Sequence, residues 1–171
     1  IRVLNAPGGL TIGARRMTIS TCGVVPGIRR LAGEGLQVEL SVSLHAPDDA
    51  LRGALMPVNA RWPLAELLAA CAGYTAQTKR IITFEYTLVA GRNDQPRHAE
   101  RLARLLRPLQ CRVNLIPLSP VPHFDGTPPA PAACDRFQAV LTRAGIHTTL
   151  RHSRGGQADA ACGQLRLRRH P

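Results

Sequence analysis

The sequence contains very little lysine and few acidic residues. Lys79 is the only lysine among the 171 residues, so almost all of the 22 basic side chains are arginines, and 11 acidic residues leave a formal net charge of +11. The guanidinium fork suits phosphate binding and base stacking, but GC-rich genomes also replace lysine with arginine. The charge alone therefore leaves nucleic-acid binding open.

Paired cysteines and long apolar runs are also missing. The five cysteines form an odd number and no Cys-x-x-Cys pair, which argues against both a disulfide framework and a zinc site. No run of about 18 uncharged apolar residues is present, and the first residues lack the pattern of a signal peptide. We therefore expect a cytoplasmic protein that does not cross a membrane.

Aromatic residues make up only 4% of the chain, whereas apolar residues make up 44%. The apolar content is enough for a core, and a chain of this length buries roughly two-thirds of its unfolded surface. With so few stacking platforms, any RNA would be bound mainly through its phosphates and its shape.

Short apolar runs alternate with stretches of helical spacing along the chain. We predict strands at 16–21, 38–45, 81–89, 112–118 and 148–152, and helices near 25–32, 48–55, 63–78, 96–106 and 132–144. Asp48 suits an N-cap, Pro63 a first helical position and Gly145 a helix end, and the proline-rich stretch 117–131 is expected to be a loop. This alternation is typical of an α/β fold with a parallel sheet.

The first four predicted strands end in polar or small residues. These ends are Ser20 to Gly23, Ser43 to His45, Glu85 to Asn93, and Asn114 to Ser119. Functional residues of parallel α/β sheets and barrels lie where the strands end. Because a closed barrel normally needs more parallel strands than these, we interpret the chain as the later half of a barrel.

Five segments carry a resemblance to a known family. They are IGARRMTISTCGVVPGIRRLA, LSVSLHAPDD, FEYTLVAGRND, VNLIPLSPVP and SRGGQADAACGQLR, in this order along nearly the whole chain. The sequence resembles the radical S-adenosylmethionine methyltransferases that methylate C2 of adenine in 23S ribosomal RNA and in tRNA. The resemblance implies the C-terminal half of a partial (β/α)6 TIM-like barrel, followed by a C-terminal strand and a catalytic loop.

The resemblance also implies roles for individual residues. Ser20 and the triplet Ser43, Leu44 and His45 would line S-adenosylmethionine, and Cys162 would be the cysteine that is methylated and passes the methyl group to RNA. Ser119 stands where many members have a cofactor-binding asparagine, so this contact would be weakened or replaced by a shorter hydroxyl.

Several parts of the family pattern do not occur in this chain. The CxxxCxxC motif that holds a [4Fe-4S] cluster and the GxGEP segment that follows it are absent. The N-terminal RNA-contacting domain and the second reactive cysteine also lie upstream in the family. The resemblance implies 23S rRNA and tRNA as partners, together with the missing N-terminal half and an electron donor such as flavodoxin. The chain alone is expected to bind no cluster and to be inactive.

Some alternatives stay open at this point. The chain is either part of an adenine-C2 methyltransferase, a cluster-less RNA-binding remnant, or a relative directed at C8 of adenine. His45 either contacts the cofactor or orients the Ala46-Pro47 turn. Glu85, inside an apolar strand, should be paired, with Arg15, Arg16 or Arg112 as candidate partners.

The remaining candidates have structural interpretations. Cys71, Cys111 and Cys134 are expected to pack in the interior, and Cys22 is given no role. Asn93 and Asp94 are interpreted as a loop turn and an N-cap. Arginines with helical spacing, Arg97 to Arg107, usually mark a solvated face, whereas a second set brackets Cys162 and would form a basic rim for RNA phosphates: Arg151, Arg154, Arg166, Arg168 and Arg169.

Overall fold

A computed structural model describes residues 1–119 and 124–151 of the chain. In this part, strands and helices alternate as predicted. The strands are β1 (Thr18–Thr21), β2 (Glu39–Ser43), β3 (Ile82–Leu88), β4 (Cys111–Pro117) and β5 (His147–Leu150). The helices are α1 (Arg2–Asn5), α2 (Val25–Gly33), α3 (Asp49–Leu55), α4 (Leu64–Thr78), α5 (Pro96–Leu106) and α6 (Pro131–Arg143).

The five strands form one parallel sheet in the order β1-β2-β3-β4-β5. Each strand is hydrogen-bonded to the next strand in sequence, and the helices between them make the crossovers that parallel pairing requires. Such a sequential parallel order is that of a barrel wall, which confirms the predicted α/β architecture. The carboxyl ends of all five strands lie at the same edge of the sheet.

The two faces of the sheet differ in polarity. On one face, Leu40, Val42, Phe84 and Leu115 are almost completely buried against the helices. Tyr86 also lies on this face and packs on Phe137 of α6 with ring centroids 5.2 Å apart. The opposite face carries mostly polar side chains, whereas the interior of a closed barrel is usually filled by branched apolar ones.

Local signals explain most element boundaries. The Asp48 side chain accepts a hydrogen bond from the Leu51 N–H at 2.9 Å and so caps α3 as predicted. Gly145, with φ of +82°, follows the end of α6 in the left-handed conformation common after helices. Lys79 takes the same role after α4 with φ of +59°, which is unusual for a residue with a Cβ atom.

Three boundary predictions were wrong in detail. Pro63 precedes α4 as its N-cap, in an extended conformation, instead of occupying its first turn. The N-cap of α5 is Gln95, which forms a capping box with His98, instead of Asn93 or Asp94. Strand β1 begins only at Thr18 because Ala14–Arg16 forms a short 3-10 turn.

No helix among the described residues is long and apolar enough to cross a membrane.

Candidate functional site

A row of polar side chains crosses the face of the sheet that points away from the helices. The Glu85 carboxylate, on β3, accepts a hydrogen bond from Ser41 Oγ on β2 at 2.8 Å and from Asn114 Nδ2 on β4 at 2.7 Å. The Asn114 amide oxygen in turn accepts from Thr149 Oγ1 on β5 at 3.1 Å. Four neighbouring strands therefore contribute to one continuous hydrogen-bonded row.

This row corrects the expected pairing of Glu85. Among the described residues, no arginine forms an ion pair with its carboxylate. Arg112 instead bonds to Glu39 at 2.9 Å and to Thr83 at 2.8 Å, nearer the amino ends of the strands. Neutral donors therefore satisfy the Glu85 carboxylate. The sequence shows only a carboxylate in an apolar strand and does not show whether its partners are charged or neutral.

The structure places all five predicted cofactor residues at or just beyond the carboxyl ends of their strands. The strand register pairs Ser20 with Ser41 and Ser43 with Glu85, so both predicted serines lie on the polar face. Ser119 is half-buried two residues after β4. Leu44 is different, because its side chain is fully buried in the hydrophobic core. The residue exposes no surface, and its backbone N–H donates to the Glu85 oxygen at 3.0 Å. Cys162 lies outside the described residues.

His45 lies two residues after the end of β2 in a strained backbone conformation. Its φ is +58°, a region that few residues other than glycine adopt. The ring Nδ1 accepts a hydrogen bond from the Thr87 N–H at 2.9 Å, and the backbone oxygen accepts from Asn93 Nδ2 at 2.9 Å. Burial and the nearby Arg52 charge lower the pKa of His45 to about 4. The imidazole is therefore neutral at pH 7, with its proton on Nε2.

Arg52 is a residue that the sequence interpretation missed. It lies in α3, yet its side chain is fully buried. Its Nη2 donates to the carbonyl oxygens of Cys22 at 2.8 Å and of Ser43 at 3.3 Å, and its Nη1 donates to Asn59 Oδ1 at 2.9 Å. Arg52 therefore joins the segment after β1 to the end of β2, close in sequence to Ser20 and His45.

Gly23 makes room for this arginine. Its φ is +106°, and a Cβ atom at this position would lie 2.9 Å from Arg52 Nη2 and 3.2 Å from the Leu67 side chain. A small residue in the left-handed region is thus required directly after β1. Gly23 and Arg52 flank the predicted site segments, but nothing in the sequence shows that they touch.

Three of the four described cysteines behave as packing residues. Burial raises the pKa of Cys71 to about 12 and that of Cys111 to about 11, and it also raises the pKa of Cys134. Thiols with raised pKa values carry little thiolate and are weak nucleophiles. This confirms their structural interpretation, whereas Cys22 is exposed after β1.

The residues at the carboxyl edge fit S-adenosylmethionine better than they fit an iron–sulfur cluster. Two serine hydroxyls and the Nε2–H of His45 supply hydrogen-bonding groups for a polar, hydroxylated ligand. In contrast, no group of three or more His, Cys, Asp or Glu side chains in the described ranges is arranged to hold a metal ion.

Comparison with known proteins supports the sequence resemblance. No family model matches the chain. The chain is 53% identical over 167 residues to a probable dual-specificity RNA methyltransferase RlmN from Pelotomaculum thermopropionicum, and the match covers 97% of this chain and 45% of the relative. The chain thus spans just under half the length of the curated relatives it matches.

Two solved structures share the fold. A radical SAM methyltransferase from Sphaerobacter thermophilus matches with a TM-score of 0.92 and 52% identity, over 95% of this chain and 48% of that one. A domain of a pyruvate-formate lyase-activating enzyme from Bacteroides vulgatus matches with a TM-score of 0.61 at 16% identity, which shows a common fold alone. Over nearly its whole length, the chain is therefore similar to the C-terminal portion of the RlmN-type dual-specificity RNA methyltransferases, the radical SAM family that its motifs resemble.

Proposed function

We propose that this chain is part of an RNA methyltransferase that transfers a methyl group from S-adenosylmethionine to C2 of adenine in 23S rRNA and tRNA. The observation that carries the proposal is the 52% identity and TM-score of 0.92 shared with a radical SAM methyltransferase over 95% of the chain. The strand ends supply a second line of support, because hydroxyl and imidazole groups gather there.

In this proposal each group has a limited task. Ser20, Ser43, His45 and Ser119 bind and orient S-adenosylmethionine, which supplies the methyl group, and the buried Leu44 holds the end of β2 beside them. The Cys162 thiolate would accept the methyl group on its sulfur, breaking the sulfonium–methyl bond and releasing S-adenosylhomocysteine, and would then present the methyl group to the RNA. Arg151 and the arginines near Cys162 in sequence hold the RNA phosphates. The remaining parts of the enzyme, including a [4Fe-4S] cluster and its electron donor, come from outside this chain. We place the protein in the cytoplasm, where both RNA classes are found.

The proposal is tested by expressing the protein with S-adenosylmethionine, digesting it with trypsin and measuring the peptide masses. Trypsin cleavage after Arg154 and Arg166 releases the peptide 155–166, which contains Cys162 as its one cysteine. We expect the mass of this peptide to increase by one methyl group. Cys22→Ala should leave this modification unchanged, and Cys162→Ala should abolish it.

The nucleosides of 23S rRNA and tRNA from the same cells identify the product. We expect 2-methyladenosine, and its loss in the Cys162→Ala variant. If 8-methyladenosine appears instead, the protein is a C8-directed relative. An unmodified Cys162 in a protein that still binds RNA would contradict the enzyme and support the RNA-binding remnant.

A further inference from the structure

We infer that Asn93 is a positioning residue that holds His45 as a fixed hydrogen-bond donor toward the ligand at the carboxyl edge of the sheet. The inference rests on the proposed function in so far as it takes S-adenosylmethionine as that ligand. Asn93 itself lies in the loop between β3 and α5, a segment that the sequence suggested was only a turn.

The Asn93 side chain is fully buried, and each of its polar atoms has a backbone partner. The amide nitrogen donates to the Thr87 oxygen at 2.7 Å and to the His45 oxygen at 2.9 Å. The amide oxygen accepts from the Val89 N–H at 2.7 Å. The Asn93 backbone oxygen also accepts from the Tyr86 hydroxyl at 3.0 Å. A buried amide with every donor and acceptor matched fixes the segments that it joins.

These bonds act on His45 from two sides. Asn93 holds the His45 carbonyl and so opposes the relaxation of a φ of +58° toward the ordinary extended region. It also holds the backbone of Thr87, whose N–H donates to the ring Nδ1. The backbone conformation and the ring orientation of His45 are therefore set by one side chain.

The direction of the Thr87 bond fixes what His45 offers a ligand. Because Nδ1 accepts, the proton of the neutral ring is on Nε2, and Nε2–H is the group left for a ligand. The ligand atom opposite it must be an acceptor, such as a carboxylate or ribose oxygen of the cofactor.

The ring state is measured first, without ligand, by long-range ¹H–¹⁵N NMR of the intact protein. In the unsubstituted protein we expect His45 to carry its proton on Nε2 and to titrate well below pH 6.5. An Nδ1–H tautomer, or titration near the ordinary histidine pKa, would overturn the inference. In Asn93→Asp, which keeps the acceptor for Val89 but loses both donors, we expect mixed tautomers. The tautomer is the diagnostic readout in this variant, because the new carboxylate raises the pKa of His45 by its charge alone.

A matched control separates positioning from general destabilisation. Thr78 is also buried, and its hydroxyl donates to the Tyr74 oxygen at 2.7 Å, at the opposite edge of the sheet. Thr78→Ala should lower the midpoint of urea denaturation but leave the His45 tautomer unchanged. A change of the same kind in both variants would show that Asn93 has only a structural role.

Binding of S-adenosylmethionine, measured by calorimetry, tests the link to the ligand. We expect Asn93→Asp and His45→Ala each to weaken binding about tenfold, and the double variant to bind no more weakly than His45→Ala. Additive losses would overturn positioning through His45. If the unsubstituted protein does not bind S-adenosylmethionine, the proposed function and the choice of ligand both fail, and the NMR result alone decides whether Asn93 positions the ring.

Discussion

At the scale of single residues, the candidate site is built from buried polar side chains that bind backbone atoms. Arg52 donates to the carbonyl oxygens of Cys22 and Ser43, and Asn93 donates to those of His45 and Thr87. Both side chains are fully buried, so removing either one leaves buried carbonyl groups without partners. The geometry of the strand ends therefore depends on residues that do not need to touch a ligand.

His45 should make the stability of the protein depend on pH. Its folded pKa of about 4 lies below the ordinary value of 6.5, so the unfolded chain binds the extra proton between these values. The contribution is fully present above pH 6.5 and is lost as the pH falls toward 4, by about 2 to 3 kcal/mol. We expect urea denaturation to show this loss, and His45→Gln to reduce it.

His98 is the internal reference for this measurement, because burial, followed by the charge of Arg97, also lowers its pKa. The unsubstituted protein and the His45→Gln variant both contain His98. The difference between their profiles of stability against pH therefore isolates the contribution of His45. Identical profiles would show that His45 titrates normally in the folded protein.

Single residues were also where the sequence interpretation was weakest. An arginine in a helix is usually exposed, so nothing in the sequence distinguishes Arg52 from Arg101, which lies on the surface and pairs with Asp48. The neutral partners of Glu85 come from strands that are distant in sequence. Both facts depend on which residues the fold brings together.

At the scale of helices and strands, the turn after β1 packs closely against α3 and α4 at one glycine, Gly23. Gly23→Ala combines an unfavourable φ of +106° with a contact of 2.9 Å to Arg52 Nη2. We expect this substitution to lower the free energy of unfolding by about 1 to 3 kcal/mol. Thermal or urea denaturation measures the change directly.

Gly73 supplies the matched control. It is exposed within α4, and a Cβ atom there would meet nothing within 4 Å. Gly73→Ala should therefore stabilise the protein by about 0.5 to 1 kcal/mol, because alanine favours the helix. Equal effects from both alanines would contradict a specific role of the turn after β1.

The elements themselves were largely predictable. Alternation between apolar strands and helices is a local pattern, and every predicted strand and helix is present among the described residues. The ends of elements shift by a few residues where the backbone conformation of one residue stops the element. His45 is an example, because its positive φ ends β2 earlier than its apolar pattern suggests.

At the scale of the whole molecule, the charge of +11 should govern the binding of RNA. If the arginines near Cys162 hold phosphates, changing Arg166, Arg168 and Arg169 together to glutamine should reduce the slope of log K against log salt concentration by about 2 to 3. Fluorescence anisotropy with a tRNA at several salt concentrations gives this slope.

The control for this prediction removes the same charge from another surface. Arg97, Arg101 and Arg104 are exposed on α5, and changing them to glutamine removes three charges far along the chain from Cys162. We expect a slope close to that of the unsubstituted protein. An equal loss in both triple variants would mean that the net charge, and not a basic rim, determines binding.

The position of Lys79 offers a practical route to that measurement. This single lysine is exposed and lies between the end of α4 and the start of β3, at the amino edge of the sheet and opposite the candidate site. An amine-reactive dye would couple at this side chain. A fluorophore on Lys79 would thus report from the amino edge of the sheet, away from the strand ends that form the candidate site.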